Sequence, residues 1–396
     1  TTTPPYAERQ NAGIMATAFD CRADIRTADY TGTLKAGTTA VLSAVDAVKA
    51  GSLKNVMVCA GDMRIGKAGS AQEEIFGDGA AALLIGDDGV VAEFAGSFSA
   101  SYDFVDHWRG TGERFDQQWE DRFIRDEGYT RLIVEAMEGL TKECGIESSA
   151  FSSVVYPCLY AGDFKKIAQV LGLSESQWVA PLLGQVGYAG VADPLMHLVR
   201  ALEEAKPGDR IAVVGFGAGA DAVLFEVTEE IEKIRANRRG ISRHLATKRE
   251  LGSYEKMVAF RNILPTEKGI RGDTVAFTAL SALWRNRKEV LGLYGSRCKA
   301  CGTPQYPVQR VCVKPDCGVI DEMAPYRFSD RKGTLFTYTG DNLAFSLNPP
   351  AIYGFVDFEG GGRYWFDLTD VDLEEVKVDM PVEMSFRKKY VDEKSS

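Results

Sequence analysis

The sequence predicts an α/β protein whose body contains an internal duplication, followed by a cysteine-rich ribbon and a small β-barrel. Three observations support this fold class: a repeated loop–helix–strand–strand plan, four closely spaced cysteines, and a run of short aromatic strands. With 396 residues and 45% apolar content, the chain can bury a large core and is expected to hold more than one domain.

The duplication is the most informative feature. Each copy has a small-residue loop that opens into an amphipathic helix, then an apolar strand, then a Gly-rich turn and a second strand. The segments are 32–51, 56–61 and 76–86 in the first copy and 187–208, 211–217 and 218–227 in the second. Two copies are too few for a solenoid, so we expect one domain with two equivalent halves. A site can then form where the halves meet.

Composition excludes several classes of partner. The 46 basic and 56 acidic residues give a net charge of −10 without any basic block, so neither nucleic acid nor an anionic membrane surface is expected to bind. No apolar run reaches the ~18 residues that a membrane-spanning helix needs. The start, TTTPPYAERQ, lacks the charged and apolar regions of a signal peptide, which makes the cytoplasm the expected compartment.

Four of the eight cysteines have the spacing of a metal site. They follow the pattern Cys-x2-Cys-x10-Cys-x4-Cys and are Cys298, Cys301, Cys312 and Cys317. The first pair lies on a KACG turn, where Gly302 lets backbone amides face the sulfurs. Four thiolates on two short turns suit tetrahedral zinc, and four protein ligands leave no open position for a substrate. We therefore predict structural zinc; the alternative is a ribbon that keeps its fold without metal.

The remaining cysteines, Cys21, Cys59, Cys144 and Cys158, are scattered and are interpreted as reduced structural thiols. The three histidines, His107, His197 and His244, have no partner at triad or metal spacing, so structural roles are expected for them as well.

Short strands with alternating aromatic and β-branched residues follow the ribbon. They are GTLFTYTG, AIYGFVDFEGG, GRYWFDLTD and MPVEMSFRKKY, separated by Gly or Asp turns. This pattern favours a small OB-like barrel. Acidic residues surround the strands, which argues against the basic groove that single-stranded nucleic acid needs. Before the ribbon, residues 228–264 are charged and helical in pattern, without a Ser/Gly/Pro tract, and indicate a connecting arm.

Three of these motifs resemble a known superfamily. FGDGAAALLIG, the KAGTTA helix start and the GFGAGAD loop resemble the thiolase superfamily over roughly residues 4–227, most of all its 3-hydroxy-3-methylglutaryl-CoA synthase and β-ketoacyl-ACP synthase III branch. RCKACGTPQYP, the later cysteine pair and GTLFTYTG resemble zinc-ribbon plus OB-fold proteins that accompany acyl-CoA thiolases and synthases as partner subunits.

The resemblance implies a layered α-β-α-β-α arrangement of the duplicated body, a division of the chain and a gap in the fold. The expected parts are a thiolase-like domain at 1–227, a helical connecting arm at 228–292, a zinc ribbon at 293–324 and an OB-fold domain at 325–396. PYAERQ resembles an interior stretch of the synthases, which implies that the first β-α-β portion of the fold, with the acidic acid/base residue of the synthases, is absent.

The chemistry of the family requires a nucleophile for the acyl group, a base that forms an enolate, and donors for the oxyanion. In the family a cysteine at a helix N-terminus is the nucleophile, because the helix dipole and free amides lower its pKa. The matching position here is Leu34, which cannot carry an acyl group. The histidine motif matches Tyr156, and the Tyr-Ser-Gly stretch matches Tyr188 to Gly190. The resemblance places oxyanion donors at Gly217 and Ala218, with the amide of Leu34 as second donor.

Three hypotheses of different classes follow for a protein that acts on or near acyl-CoA. The first is an aldol or retro-aldol lyase in which Tyr156 and Tyr188 handle the proton, against the alternative that both tyrosines only pack. The second is a synthase or acyltransferase whose nucleophile lies elsewhere, with Cys158 as the candidate. The third is a non-catalytic subunit. The resemblance also implies a homodimer or a heteromeric complex with a thiolase-like chain.

Overall fold

The protein is represented by a computed structural model that describes residues 1–235, 239–264 and 279–387. The chain forms two compact units. The body unit comprises Thr1–Arg9 and Asp29–Lys248, and the ribbon unit comprises Gln10–Ala28 and the chain from Arg249 onward. The predicted connecting arm and last strand fall partly on residues 236–238, 265–278 and 388–396, which lie outside the described residues.

The helices alternate with strands through the body unit and are short in the ribbon unit. The helices are α1 (Asn11–Ala18), α2 (Ala36–Lys49), α3 (Ala71–Ile75), α4 (Asp121–Phe123), α5 (Arg131–Cys144), α6 (Ala161–Val170), α7 (Asp193–Glu204), α8 (Glu230–Ile234), α9 (Ile241–Ala246), α10 (Tyr254–Phe260), α11 (Leu280–Arg285) and α12 (Arg287–Gly292). A π-helical turn, Ile124–Thr130, joins α4 to α5. Short 3-10 turns are Ser148–Ala150, Gly190–Ala192 and Leu373–Glu375.

The strands confirm the repeated strand pairs of the body and the run of short strands after the ribbon that the sequence predicts. They are β1 (Asn55–Asp62), β2 (Gly79–Gly86), β3 (Ala92–Ser101), β4 (Ser153–Val155), β5 (Arg210–Phe216), β6 (Gly219–Val227), β7 (Tyr294–Cys298), β8 (Pro304–Gln305), β9 (Met323–Arg327), β10 (Lys332–Asp341), β11 (Ala351–Phe358), β12 (Arg363–Asp367) and β13 (Pro381–Glu383).

The duplication is visible in the body unit. In the first copy, α2 precedes the antiparallel pair β1–β2, and in the second, α7 precedes the antiparallel pair β5–β6. The second sheet has the order β3-β6-β5-β4, in which only β4 and β5 run parallel. Both helices bury one apolar face in the same core, which also contains Leu34 and Tyr188.

Glycines allow the two halves to approach closely. A Cβ at Gly215 on β5 would lie 2.3 Å from Oγ1 of Thr38 on α2. Likewise, a Cβ at Gly79 on β2 would lie 2.4 Å from Sδ of Met196 on α7. The start of each helix therefore packs against a strand of the other half, and a side chain at either glycine would push them apart.

A second core surrounds α5. Its buried face packs on β3 and on the inner residues of β5 and β6, and Tyr129 and Tyr156 lie in it. The helix is amphipathic, with five buried residues on one side and Gly145 in the left-handed region at its end.

The ribbon unit has two small sheets. One has the order β8-β7-β9 and carries the first cysteines; the other has the order β12-β11-β10-β13 and a core of Leu335, Val356 and Val376. α1 packs on α12, and Asp20 accepts a hydrogen bond from the Tyr294 hydroxyl at 2.5 Å. No helix among the described residues combines the length and apolar character needed to cross a bilayer.

The contact between α5 and β3 gives a test of packing in the second core. A Cβ at Gly139 would lie 2.4 Å from ring carbons of Phe98, so Gly139→Ala is expected to lower the free energy of unfolding by about 1–3 kcal/mol despite its better helix propensity. Adding Phe98→Leu should restore part of the loss. Gly162→Ala, which has open space, is the control. Urea unfolding measures all three; an equal or higher stability for Gly139→Ala would contradict the packing.

Candidate functional site

The loop after β5 lies against the residue that precedes helix α2. A Cβ at Gly217 would lie 2.8 Å from the amide nitrogen of Leu34 and 3.0 Å from its Cβ. The Thr33 hydroxyl donates a hydrogen bond to the Gly217 carbonyl at 2.6 Å. The structure thus brings together the two segments that the sequence predicts to form an oxyanion site, and Leu34 itself is 2% exposed.

The backbone of this loop has a conformation that few residues adopt. Gly217, Ala218 and Gly219 have φ values of 147°, 48° and 116°. The left-handed conformation of Ala218 costs about 1–2 kcal/mol. It is held by hydrogen bonds from the amide of Gly217 to the carbonyl of Gly219 (2.9 Å) and from the amide of Tyr102 to the carbonyl of Ala218 (3.1 Å).

Two backbone donors in this region have no acceptor. Within the described part of the chain, the amides of Leu34 and Ala218 donate to no protein atom. Because Gly217 lies in contact with Leu34, the two donors belong to adjoining segments. Free amides of this kind can accept a negatively charged oxygen without the help of a side chain.

A buried ion pair lies beside these amides. Lys35 is 8% exposed and Asp221 is 2% exposed. The ammonium group donates to Oδ1 of Asp221 (3.0 Å), Oγ of Ser101 (3.1 Å) and O of Ala100 (3.2 Å). The second carboxylate oxygen of Asp221 accepts from the hydroxyls of Thr38 (3.1 Å) and Thr39 (2.7 Å). This pair was not predicted from the sequence, although a lysine and an aspartate inside two apolar segments were a usable signal.

Tyr188 lies in the same core as Leu34 and is 1% exposed. Its backbone is fixed by hydrogen bonds to Ile75 (2.7 Å) and from Gly77 (3.1 Å). Burial raises the pKa of Tyr188 well above its usual range, and the guanidinium of Arg64, 5.7 Å from the ring centroid, opposes this only in part. The phenol is therefore protonated at neutral pH, and it can donate a proton or a hydrogen bond.

Tyr156 lies in the second core, with its polar atom already bonded. Its ring stacks on Phe164 at 4.3 Å between centroids, and its hydroxyl donates to the carbonyl of Phe164 at 2.9 Å. Burial is the main reason that the pKa of Tyr156 is raised. The hydroxyl of Tyr156 is therefore already bonded to the backbone within the second core.

Cys158 is a buried thiol. Burial, followed by the nearby Asp193 carboxylate, raises the pKa of Cys158 to about 12. At that value only about one part in 10⁵ is thiolate at neutral pH, and the thiolate is the nucleophilic form. This environment does not favour Cys158 as an acyl carrier.

Two further buried residues of this region are Tyr129, which was not singled out from the sequence, and His197, for which a structural role was expected. Tyr129, on the π-helical turn, is fully buried, donates to the carbonyl of Pro157 at 2.5 Å and contacts Phe216 edge-on at 5.7 Å. The buried His197 ring bonds through both nitrogens, to the carbonyl of Asp193 (2.8 Å) and from the amide of Leu182 (3.1 Å). Nε2 is thus an acceptor. Burial lowers the pKa of His197, but the Asp193 carboxylate, 3.4 Å from Nδ1, outweighs burial and raises it overall.

The four predicted cysteines form a compact cluster. Their sulfurs all lie within 4.8 Å of one another, with Cys298 and Cys317 at 3.8 Å and Cys301 and Cys312 at 3.5 Å. A zinc ion with four bonds of about 2.3 Å requires sulfur–sulfur distances of about 3.8 Å. Backbone amides also face the sulfurs: those of Thr303, Lys314 and Val319 bond to Cys301, Cys312 and Cys317. The residues fit structural zinc.

Known proteins are similar to this chain in both the body unit and the ribbon unit. Residues 286–319 match the family model of the ChsH2 rubredoxin-like zinc ribbon domain, and residues 326–387 match that of the ChsH2 C-terminal OB-fold domain. A curated hydroxymethylglutaryl-CoA synthase from Methanopyrus kandleri is 34% identical over 260 residues, which are 64% of this chain and 74% of that protein.

Solved structures agree on the fold of the body. A structure of HMG-CoA synthase complexed with CoA aligns with a TM-score of 0.57 and 17% identity, covering 69% of this chain and 74% of that chain. The 3-oxoacyl-[acyl-carrier-protein] synthase III from Aquifex aeolicus aligns with a TM-score of 0.50 and 17% identity, covering 57% of this chain and 74% of that chain.

The class of protein is defined by three features. They are the duplicated body, the glycine loop that contacts a helix start, and the cysteine ribbon. This is a thiolase-like α/β protein of the acyl-CoA condensing enzymes, joined to a zinc ribbon and an OB-fold domain. Within that class, the chain belongs to the hydroxymethylglutaryl-CoA synthase family.

The cysteine cluster predicts a metal content. Elemental analysis of the purified chain should find about one zinc per chain, because four thiolates at tetrahedral spacing bind zinc tightly. Cys312→Ser should lose the metal, whereas Cys21→Ser, at an exposed free thiol, should retain it. A protein purified without chelators that contains no zinc, or a Cys312→Ser variant that keeps it, would contradict the assignment.

Proposed function

We propose that this protein forms or breaks a carbon–carbon bond beside the thioester of an acyl-CoA through an enolate, without an acyl-cysteine. The observation that carries the proposal is the pair of free amides at Leu34 and Ala218, next to an apolar side chain where the family nucleophile is expected. Backbone donors survive a change of side chain, so the oxyanion function persists when the sulfur is absent.

Membership of the family supports an acyl-CoA as the substrate. The curated relatives are hydroxymethylglutaryl-CoA synthases, and one solved structure with the same fold is complexed with CoA. The substrate proposed here is therefore a short acyl-CoA in the bond-forming direction, or a β-hydroxyacyl-CoA in the bond-breaking direction.

The reaction balances without a covalent enzyme intermediate. In the bond-breaking direction, a β-hydroxyacyl-CoA passes its hydroxyl proton to a water molecule, the Cα–Cβ bond breaks, and a carbonyl compound leaves. The electron pair remains on the acyl-CoA as an enolate, which then takes a proton at carbon. The reverse sequence adds the enolate to a carbonyl. In both directions negative charge develops on the thioester oxygen, where the two amides would hold it.

Tyr188 is the better placed of the two tyrosines for the proton that the enolate takes up. It shares the core of Leu34, and burial keeps its phenol protonated. Tyr156 lies in the other core, and its hydroxyl is used by the carbonyl of Phe164. We assign Tyr188 as the proton or hydrogen-bond donor and Tyr156 as a packing residue.

Exchange of the C2 protons of acetyl-CoA with deuterium, followed by NMR, tests enolate formation without knowledge of the second substrate. With water as the acceptor of the C2 proton and the two amides bonded to the enolate oxygen, we expect exchange above the buffer rate and no acyl adduct of the protein by mass spectrometry. Gly217→Ala should lower the rate about 10²-fold or more, because its Cβ would displace the loop from Leu34. Gly162→Ala should stay within about 2-fold, as the matched control.

Other outcomes of this experiment are informative. Lack of exchange by the purified chain, with zinc bound and the fold intact, would reject the enolate mechanism and favour a non-catalytic subunit. An acyl adduct mapped to Cys158 would instead restore a covalent mechanism, in spite of the raised pKa of that thiol.

The two tyrosines give a paired comparison. Tyr188→Phe should lower the exchange rate about 10²-fold, since it removes the only polar atom of that side chain. Tyr156→Phe should change the rate by less than about 3-fold and lower stability by about 1 kcal/mol, because one buried hydrogen bond is lost. Exchange kinetics and urea unfolding measure the pair; the opposite ranking would move the proton-transfer role to Tyr156.

A further inference from the structure

The side chains of Lys35 and Asp221 form an ion pair that is buried even though burying two charges costs free energy. Both charges are removed from water, at 8% and 2% exposure. Burying an ion pair seldom stabilises a protein more than apolar residues of the same volume would. Overall stability therefore does not account for this pair. The segments that it contacts indicate a local structural role.

The pair joins the two segments of the candidate oxyanion site to the end of strand β3. Lys35 follows Leu34 at the start of α2, and Asp221 follows the Gly217–Gly219 loop on β6. The ammonium group also reaches the end of β3, where it bonds to Ala100 and Ser101. The next residue on that strand, Tyr102, donates its amide to the Ala218 carbonyl at 3.1 Å.

The ammonium group is fully occupied by the protein. A lysine has three protons to donate, and Lys35 directs them to a carboxylate, a hydroxyl and a carbonyl. Asp221 in turn accepts from both threonines of α2 in addition to Lys35. Neither side chain has a spare group for a ligand, so neither is placed to act as a catalytic residue.

We infer that Lys35 and Asp221 are positioning residues, which fix the amides of Leu34 and Ala218 relative to each other so that both can bond one enolate oxygen. We call this restraint of the two amides by the Lys35–Asp221 ion pair the clamp. Its catalytic consequence rests on the proposed function, whereas its effect on the backbone does not. A displacement of about 1 Å in such donors is enough to lower a rate about 10²-fold. The pair should therefore affect the chemical step more than substrate affinity.

The test compares the double variant Lys35→Met/Asp221→Leu with a control. The double variant removes both charges together and leaves no unpaired buried ion, so it is expected to fold. The control is Arg210→Gln/Glu226→Gln, which removes a half-exposed pair at 3.2 Å on the β5–β6 hairpin. Zinc content and the thermal midpoint establish that each variant is folded.

Two readouts distinguish the inference from the proposed function. The first is amide hydrogen exchange by mass spectrometry over residues 33–39 and 216–220, which needs no substrate. The clamp predicts about 10-fold faster exchange there in the double variant and no change in the control. The second is deuterium exchange at C2 of acetyl-CoA, where kcat should fall about 10²-fold while KM stays within about 3-fold.

The possible results separate the clamp from the proposed enolate chemistry. Faster amide exchange in a protein whose wild type does not enolise acetyl-CoA would support the clamp and reject the proposed function. Unchanged amide exchange in the folded double variant would overturn the clamp, whatever the activity. A loss of affinity that parallels the loss of rate would also overturn it, because a ligand-binding role would then explain the pair.

Discussion

The structure depends on the close approach of a glycine loop to the start of one helix. Gly217 lies so near Leu34 that a single added carbon would come within 2.8 Å of the amide nitrogen. This contact connects the two halves of the duplicated body, and it leaves two backbone donors without partners in adjoining segments. Close contacts at Gly215 and Gly79 likewise pack the start of each helix against a strand of the other half.

A functional consequence follows from the fact that the contact is made by backbone. In an enzyme with an acyl-cysteine, the side chain carries the intermediate and the amides hold the oxyanion. Here Leu34 cannot carry an acyl intermediate, whereas the amides of Leu34 and Ala218 are available for the proposed oxyanion role. Chemistry that needs only an enolate is compatible with this arrangement. The protonated state of Tyr188 suits the same chemistry, since a neutral phenol can supply a proton or a hydrogen bond but is a weak base.

Much of the protein follows from local sequence features. The repeated order of helix and strands, the cysteine spacing and the alternating aromatic strands after the ribbon each depend on residues near one another in the chain, and the structure confirms them. Of the strand expected at 380–390, Pro381–Glu383 pairs with β10, and residues 388–390 lie outside the described part of the chain. The motif resemblance likewise placed Leu34, Gly217 and Ala218 in one site. The π-helical turn that carries Tyr129 was not predicted, because no local pattern separates it from an ordinary helix start.

The sequence by itself determined the fold class, the four cysteines that cluster in the ribbon and the absence of a thiol at Leu34, because spacing, periodicity and residue identity are properties of the chain alone. The tertiary structure decided which polar atoms are already bonded. It assigned the Tyr156 hydroxyl to a backbone carbonyl, surrounded Cys158 with apolar groups, and paired Lys35 with Asp221 across 186 residues. Burial and hydrogen bonding between distant segments set protonation and availability, and these quantities arise only when the chain has folded.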